Sequence, residues 1–157
     1  MLAINKTSAT LPFSCEQAFD LAADIESYPK FLSGWVSARI LSRESDGCHV
    51  EQVIGLGPFR LQFTSKAVLH RPERIEVTSA QAPFRLFSLN WLIVPVAPAG
   101  CRVSVTAQVE LRSRLLQRIV NEALPAAMDE LITAFEARAH GMYRAQGPGC
   151  GAPGRPN

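Results

Sequence analysis

Two periods of hydrophobic residues divide this chain. Between Trp35 and Leu111 apolar side chains recur at every second position, in runs closed by turn residues, which predicts a series of strands. Val36, Ala38 and Ile40 alternate with Ser37 and Arg39, and Asp46-Gly47 then supplies a tight hairpin turn. Val50, Gln52, Ile54 and Leu56 form the next inward row, and Phe59, Leu61, Phe63, Ser65, Ala67 and Leu69 the one after, closed by Arg71-Pro72. Ile75 and Val77 mark a shorter strand before Ala82-Pro83. Phe87, Leu89, Trp91 and Ile93 share a face up to the Pro95–Gly100 loop, and Cys101, Val103, Val105, Ala107, Val109 and Leu111 share a face of the last strand. Links of hairpin length make this an antiparallel meander with one face buried and one wet.

After Arg114 the period lengthens. Leu116, Val120, Ala123, Ala127, Leu131, Phe135 and Ala139 recur at steps of three and four, so a helix is expected from about Arg114 to Arg144. Such a helix spans roughly 45 Å, enough to cross the sheet. Pro125 removes one backbone donor inside it, and a kink is expected there. Before the meander, Leu2–Leu11 reads as a strand ended by Pro12. Ser14-Cys15-Glu16-Gln17 has the form of a capping box, and Phe19, Ala22 and Ala23 give the following helix its apolar face. Tyr28-Pro29 is expected to interrupt that helix, with a second short turn at Lys30–Leu32 ending at Ser33-Gly34. The predicted fold is α+β: a seven-stranded curved antiparallel sheet wrapped around a long C-terminal helix, with two short helices after the first strand. This is a helix-grip arrangement. A curved sheet and a straight helix cannot touch everywhere, so a tunnel between them is expected.

Composition adds limits. The chain has 157 residues, 47% hydrophobic and 19% charged, which suits one globular domain and excludes a disordered or fibrous class. That domain is expected over residues 1–145, with a disordered Gly/Pro-rich tail over 146–157. A formal charge of +2 creates no global field for DNA. The longest apolar stretch, near Leu89–Ala99, is broken by Asn90, Pro95 and Pro98, short of the roughly 20 residues of a membrane span. The N-terminus has no apolar core for a signal peptide, so a cytoplasmic protein is expected. Cys15, Cys48, Cys101 and Cys150 form no CxxC pair and are expected as free thiols. His49, His70 and His140 lack metal-ligand spacing, and no metal or other cofactor is expected.

Tyr28-Pro29-Lys30-Phe31-Leu32, followed by Trp35 and Arg39, resembles a segment of the coenzyme-Q-binding START-domain family, whose bacterial members include ribosome-association toxins of the RatA type. Phe63-Thr64-Ser65-Lys66, Pro83-Phe84-Arg85, Trp91 and Phe135-Glu136-Ala137-Arg138-Ala139 follow in the family's order and spacing, so the likeness covers residues 3–143. The chain departs from the family at Ser33-Gly34-Trp35, which carries one extra residue, at Gln52 and at Pro125. The resemblance implies a helix-grip fold and a non-enzymatic binder of ubiquinone or a similar lipid, supporting respiratory electron transfer. It also implies two alternatives: a large-ribosomal-subunit binder that blocks subunit joining, and a polyketide-cyclase-like enzyme.

The pattern itself supplies the candidate residues. Phe59, Phe63, Phe87 and Trp91, facing a helix that offers Leu116, Val120, Ala123, Ala127 and Leu131, suggest an apolar wall with space beside it. Each aromatic also suits an ordinary sheet core. Catalysis needs titratable groups converging in the cavity, and the polar inward candidates, Ser65 and Gln52, are neither acids nor bases. Gln52 is read as a donor to a quinone carbonyl, or as a strand-end residue reaching water. Tyr28, Phe31, Leu32 and Trp35 are read as a mobile rim over the tunnel mouth, able to touch a bilayer at the inner face of the respiratory membrane, or as a plainly packed helix pair. Arg112, Arg114 and Arg118 form one basic knot and Arg71 with Arg74 another, suited to rRNA phosphates or to a solvated surface.

Overall fold

A computed structural model describes residues 2–56 and 58–145. The expected tail, 146–157, and with it Cys150, lies outside the described residues. The chain runs β1 (Leu2–Thr7), α1 (Cys15–Ala23), a 3₁₀ turn (Ile25–Ser27), α2 (Tyr28–Phe31), β2 (Trp35–Glu44), β3 (Gly47–Leu56), β4 (Phe59–His70), β5 (Arg74–Ser79), β6 (Phe84–Val96), β7 (Gly100–Leu111) and α3 (Arg114–Ala145). The strands form one seven-stranded sheet in the order β1-β7-β6-β5-β4-β3-β2. Every neighbouring pair is antiparallel. The fold is thus the α+β helix grip that the periodicity predicts.

Local chemistry sets the starts and stops. Ser14 Oγ accepts from the Gln17 backbone at 3.1 Å and Gln17 Oε1 accepts from the Ser14 backbone at 3.0 Å, completing the capping box of α1. That helix stops at Ala23, before Tyr28-Pro29, and Tyr28 itself has helical angles (φ −52°, ψ −43°). Proline here opens α2 instead of interrupting α1, because a first-turn residue has no helical donor to lose. The turn expected at Lys30–Leu32 therefore begins two residues earlier. The β2–β3 turn also shifts by one: Ser45 and Asp46 occupy its centre and Gly47 already pairs with Glu44. A Cβ on Gly47 would lie 1.9 Å from the Ala67 carbonyl oxygen, so its glycine serves the close approach of β4.

The concave face carries the core. All six inward residues of β7, from Cys101 to Leu111, are buried, as are Phe87, Leu89, Trp91 and Ile93 of β6. The helix closes over them with Val120, Leu124, Met128, Leu131, Ile132, Phe135 and Ala139, and α3 runs unbroken through Pro125. Full burial of each large apolar side chain contributes about 1.5–3 kcal/mol, so this stripe fixes α3 against the sheet. Two expected inward positions, Val36 and Phe59, behave otherwise. Register shifts between Trp35 and Ser37 and between Ile40 and Ser42 turn Val36 outward at 41% exposure and leave Leu41 exposed. Phe59 sits at the β3–β4 hairpin, past the packed part of its row, and is 37% exposed. Among the described residues, no helix is long and apolar enough to cross a membrane.

Candidate functional site

The sheet and α3 part where the helix residues are small. A cavity of about 390 Å³ opens there. Its depth is lined by Ile54, Phe84, Phe87, Leu89, Ala107, Val109, Leu124, Met128 and Leu131. Its mouth lies between Leu32, Ser33, Gly34, Trp35 and Gly55 on one side and Ala123, Ala126, Ala127 and Glu130 of α3 on the other. The helical members fall at steps of three and four, so they share one face, and that face is nearly all alanine. The Gly55 amide donates to the Gly34 carbonyl at 2.8 Å, which joins the end of β3 to the loop before β2. Neither glycine has a side chain to fill the opening.

Polar groups occupy two places. Ser33 Oγ donates to Glu130 Oε2 at 3.1 Å across the mouth, and Glu130 is the only titratable side chain among the lining residues. Behind the wall, Trp35 Nε1 donates to Gln52 Oε1 at 2.7 Å, and Gln52 Nε2 donates to Ser65 Oγ at 2.6 Å. Gln52 and Ser65 are each 2% exposed and do not line the cavity. The Gln52 amide is therefore engaged in holding the Trp35 indole. It neither reaches water at a strand end nor presents a donor to the cavity.

The structure gathers six of the expected ligand-binding residues at this site: Leu32, Trp35, Phe87, Ala123, Ala127 and Leu131. Others support it from behind. Phe63 packs against Phe84 and Phe87 at ring separations of 4.9 and 4.8 Å. Trp91 packs beside Phe135 at 5.1 Å with the rings tilted by 50°, away from the lining. Val120 is core, Leu116 is half-buried, and neither lines the cavity. Phe59, on the outside of the hairpin, lines nothing.

The expected mobile rim is mostly a packed buttress. Tyr28 and Leu32 are buried, and the Tyr28 hydroxyl donates to the Ala22 carbonyl. Burial, with Asp24 adding to it, pushes the Tyr28 phenol above the tyrosine range, so it stays neutral. The Tyr28 ring meets Trp35 edge-on at 5.3 Å, and Phe31 faces away from the cavity under the Arg138 guanidinium. Of the four rim residues, Leu32 and Trp35 reach the lining.

The basic knots separate as well. Arg71 forms a two-pronged pair with Asp20 at 2.9 and 3.0 Å, which pushes its pKa up further. Arg74 contacts Glu76 at 3.3 Å. Arg112, Arg114 and Arg118 are exposed, and among the described residues none has an ion-pair partner. The second knot is thus internally compensated and the first is not.

Sequence reasoning missed the deep wall formed by Ile54, Phe84, Leu89, Ala107, Val109, Leu124 and Met128, and the mouth residues Ser33, Gly34, Gly55, Ala126 and Glu130. Ala126 and Glu130 were within reach, since each lies three residues beyond a predicted alanine of the same face. The depth was not, because period-two alternation marks inward residues without separating those that touch α3 from those that face a void.

Comparison with known proteins agrees with the fold. Residues 11–136 match the family described as polyketide cyclase / dehydrase and lipid transport. The ribosome association toxin RatA of Escherichia coli K12 is 25% identical over 139 residues, covering 88% of each chain. A mitochondrial coenzyme Q-binding protein, COQ10 homolog B of Xenopus laevis, is 22% identical over 143 residues, covering 88% of this chain and 59% of its own. A START superfamily protein from Mycobacterium smegmatis shares the fold with a TM-score of 0.73 at 19% identity, covering 89% of this chain and 98% of its own.

Proposed function

This chain belongs to the polyketide cyclase/dehydrase and lipid-transport family, and from that premise we propose that it is a non-enzymatic carrier of a hydrophobic molecule, a polyisoprenoid quinone of the ubiquinone type, in support of respiratory electron transport. The observation that carries the proposal is the lining: a continuous apolar wall with a single titratable side chain, Glu130, at the mouth. Acid–base or nucleophilic catalysis works through paired groups held within hydrogen-bond reach of one another. Glu130 does pair with the Ser33 hydroxyl, but both are exposed at the mouth and among the described residues no third group orients the carboxylate as a nucleophile–base pair requires. A volume of about 390 Å³ is at the lower end for small-molecule pockets, so it takes a compact head or part of a chain while a long tail leaves by the mouth. The quinone comes from the printed name of the mitochondrial relative.

The test is native mass spectrometry with lipid extraction on protein purified from a quinone-producing host. Near-stoichiometric ubiquinone is expected on the wild-type chain. Ala127→Trp fills the mouth from α3, and it is expected to abolish uptake with only modest loss of stability. An empty wild-type protein that also refuses added quinone would overturn the proposal, as would undiminished binding by a folded Ala127→Trp variant.

A second reading, association with the large ribosomal subunit, is favoured by Arg112, Arg114 and Arg118, which are exposed and, among the described residues, have no ion-pair partner. The toxin relatives carry ribosome association in their name.

A further inference from the structure

A cavity with an apolar wall sorts its ligands by the few polar groups at its opening. Here those side chains are the Ser33 hydroxyl and the Glu130 carboxylate, 3.1 Å apart, while the nearby Trp35 indole N–H is spent on Gln52 at 2.7 Å. An ionised carboxylate only accepts hydrogen bonds. Its Oε2 accepts from the Ser33 hydroxyl, and no described residue donates to Oε1. The Gly55 amide, also at the mouth, is used on the Gly34 carbonyl. Among the described side chains at the opening, the unused hydrogen-bonding capacity is therefore the acceptor Oε1 of Glu130, while the unused donors are the Ser33 and Gly34 backbone N–H groups. A carbonyl head brings a further acceptor to a carboxylate and is repelled. A hydroxyl head donates to that carboxylate, forming the stronger, charge-assisted kind of hydrogen bond.

We infer that Glu130, positioned by Ser33, is the specificity-determining residue of the cavity and selects ligands with a hydrogen-bond-donating head, so that a hydroquinone or other phenol is held in preference to the quinone or ether of the same skeleton. The inference rests on the carrier reading above and deepens it, by assigning the reduced form as the preferred cargo. Glu130 and Ser33 are both exposed, so a ligand without the hydroxyl leaves the carboxylate to water, and the preference comes from the charge-assisted bond that the donor head gains.

Two ligand pairs test this, each bound by the full-length protein and measured by anaerobic calorimetry. One is 2-decylhydroquinone against 2-decylbenzoquinone, and the other is the redox-inert pair 4-decylphenol against its methyl ether. In the wild type the donor-headed member of each pair is expected to bind about tenfold tighter, as suits a charge-assisted hydrogen bond at a partly wet mouth. Glu130→Gln keeps the shape and adds a donor, so the preference should fall to within about twofold. Equal binding of both members by the wild type, with both lost in Ala127→Trp, would overturn the role of Glu130 and leave the cavity reading standing. Preference for the carbonyl or ether member would overturn it too, as would a full preference surviving in Glu130→Gln. If none of the four compounds binds, the carrier reading itself falls.

Discussion

Trp35, Gln52 and Ser65 form a chain of hydrogen bonds that anchors the indole of a cavity-lining residue. Gln52 is almost fully buried, and both ends of its amide are used. Gln52→Leu preserves the bulk but leaves the Trp35 N–H and the Ser65 hydroxyl without these partners. A loss of about 1–3 kcal/mol in urea unfolding is expected, together with a shifted Trp35 indole resonance. Unchanged stability and spectrum would show that the amide holds nothing. A second prediction concerns protons. Burial pushes the Cys101 thiol up from 9.0 to about 11 and raises Cys48 as well, while Tyr28 is also held neutral. The unfolded chain releases these protons first as pH rises, so the folded state binds more of them and loses stability with increasing pH. Stability is expected to hold below about pH 9 and to decline from there through about pH 11. Urea midpoints at about pH 8 and about pH 10.5 check this, with a shallower decline expected in Cys101→Ala. Equal midpoints at both pH values would contradict it.

Elements meet through backbone as much as through side chains. The β2–β3 hairpin packs so close to β4 that position 47 has no room for a Cβ. Gly47→Ala drives a methyl group into the Ala67 carbonyl, and because that neighbour is backbone it cannot swing away. A loss of about 1–3 kcal/mol is expected by thermal or urea unfolding, in the range of other overpacked sites. A neutral effect would mean that the hairpin slides freely over β4. The sequence signalled a turn at Asp46-Gly47 but attributed the glycine to turn geometry. Only the register, which sets Gly47 opposite Val68, assigns it to strand contact. Helix boundaries show the same division. Ser14 and Gln17 announce α1 through a purely local pair of hydrogen bonds, legible from residue types alone. Pro29 was ambiguous, since proline both ends helices and begins them.

At the scale of the molecule, charge gathers at one end of the sheet. The β3–β4 hairpin, the start of β6 and the β7–α3 junction lie together there and carry Arg60, Arg85, Arg112, Arg114 and Arg118. The far end holds pairs such as Arg71 with Asp20. If the ribosome is a partner, this end is the surface that meets it. Arg114→Glu with Arg118→Glu is then expected to abolish ribosome co-sedimentation, to leave quinone uptake intact, and to remove the salt dependence of any residual association. Association retained by the double variant would take these residues out of the account, and a parallel loss of quinone uptake would tie the surface to the cavity instead.

The kinds of element, their order and, apart from Val36 in β2 and Phe59 in β4, the strand faces that are buried are legible in the residues alone. Those follow from periods of two and of three to four, from capping side chains and from turn residues, all of which act within a few positions. The sequence also places apolar residues with Gln52 and Ser65, and no acid or histidine, on the inward rows of the strands. Tertiary structure alone decided which inward residues touch α3 and which face a void, because that depends on how a curved sheet diverges from a helix. It placed Leu32, Trp35, Phe87, Ala123, Ala127 and Leu131 around one space and set Gln52 behind the wall. It also brought Ser33 to Glu130, residues from distant segments that no local pattern relates. Periodicity reports the side of an element on which a residue lies. Only the meeting of elements reports what that residue finds there.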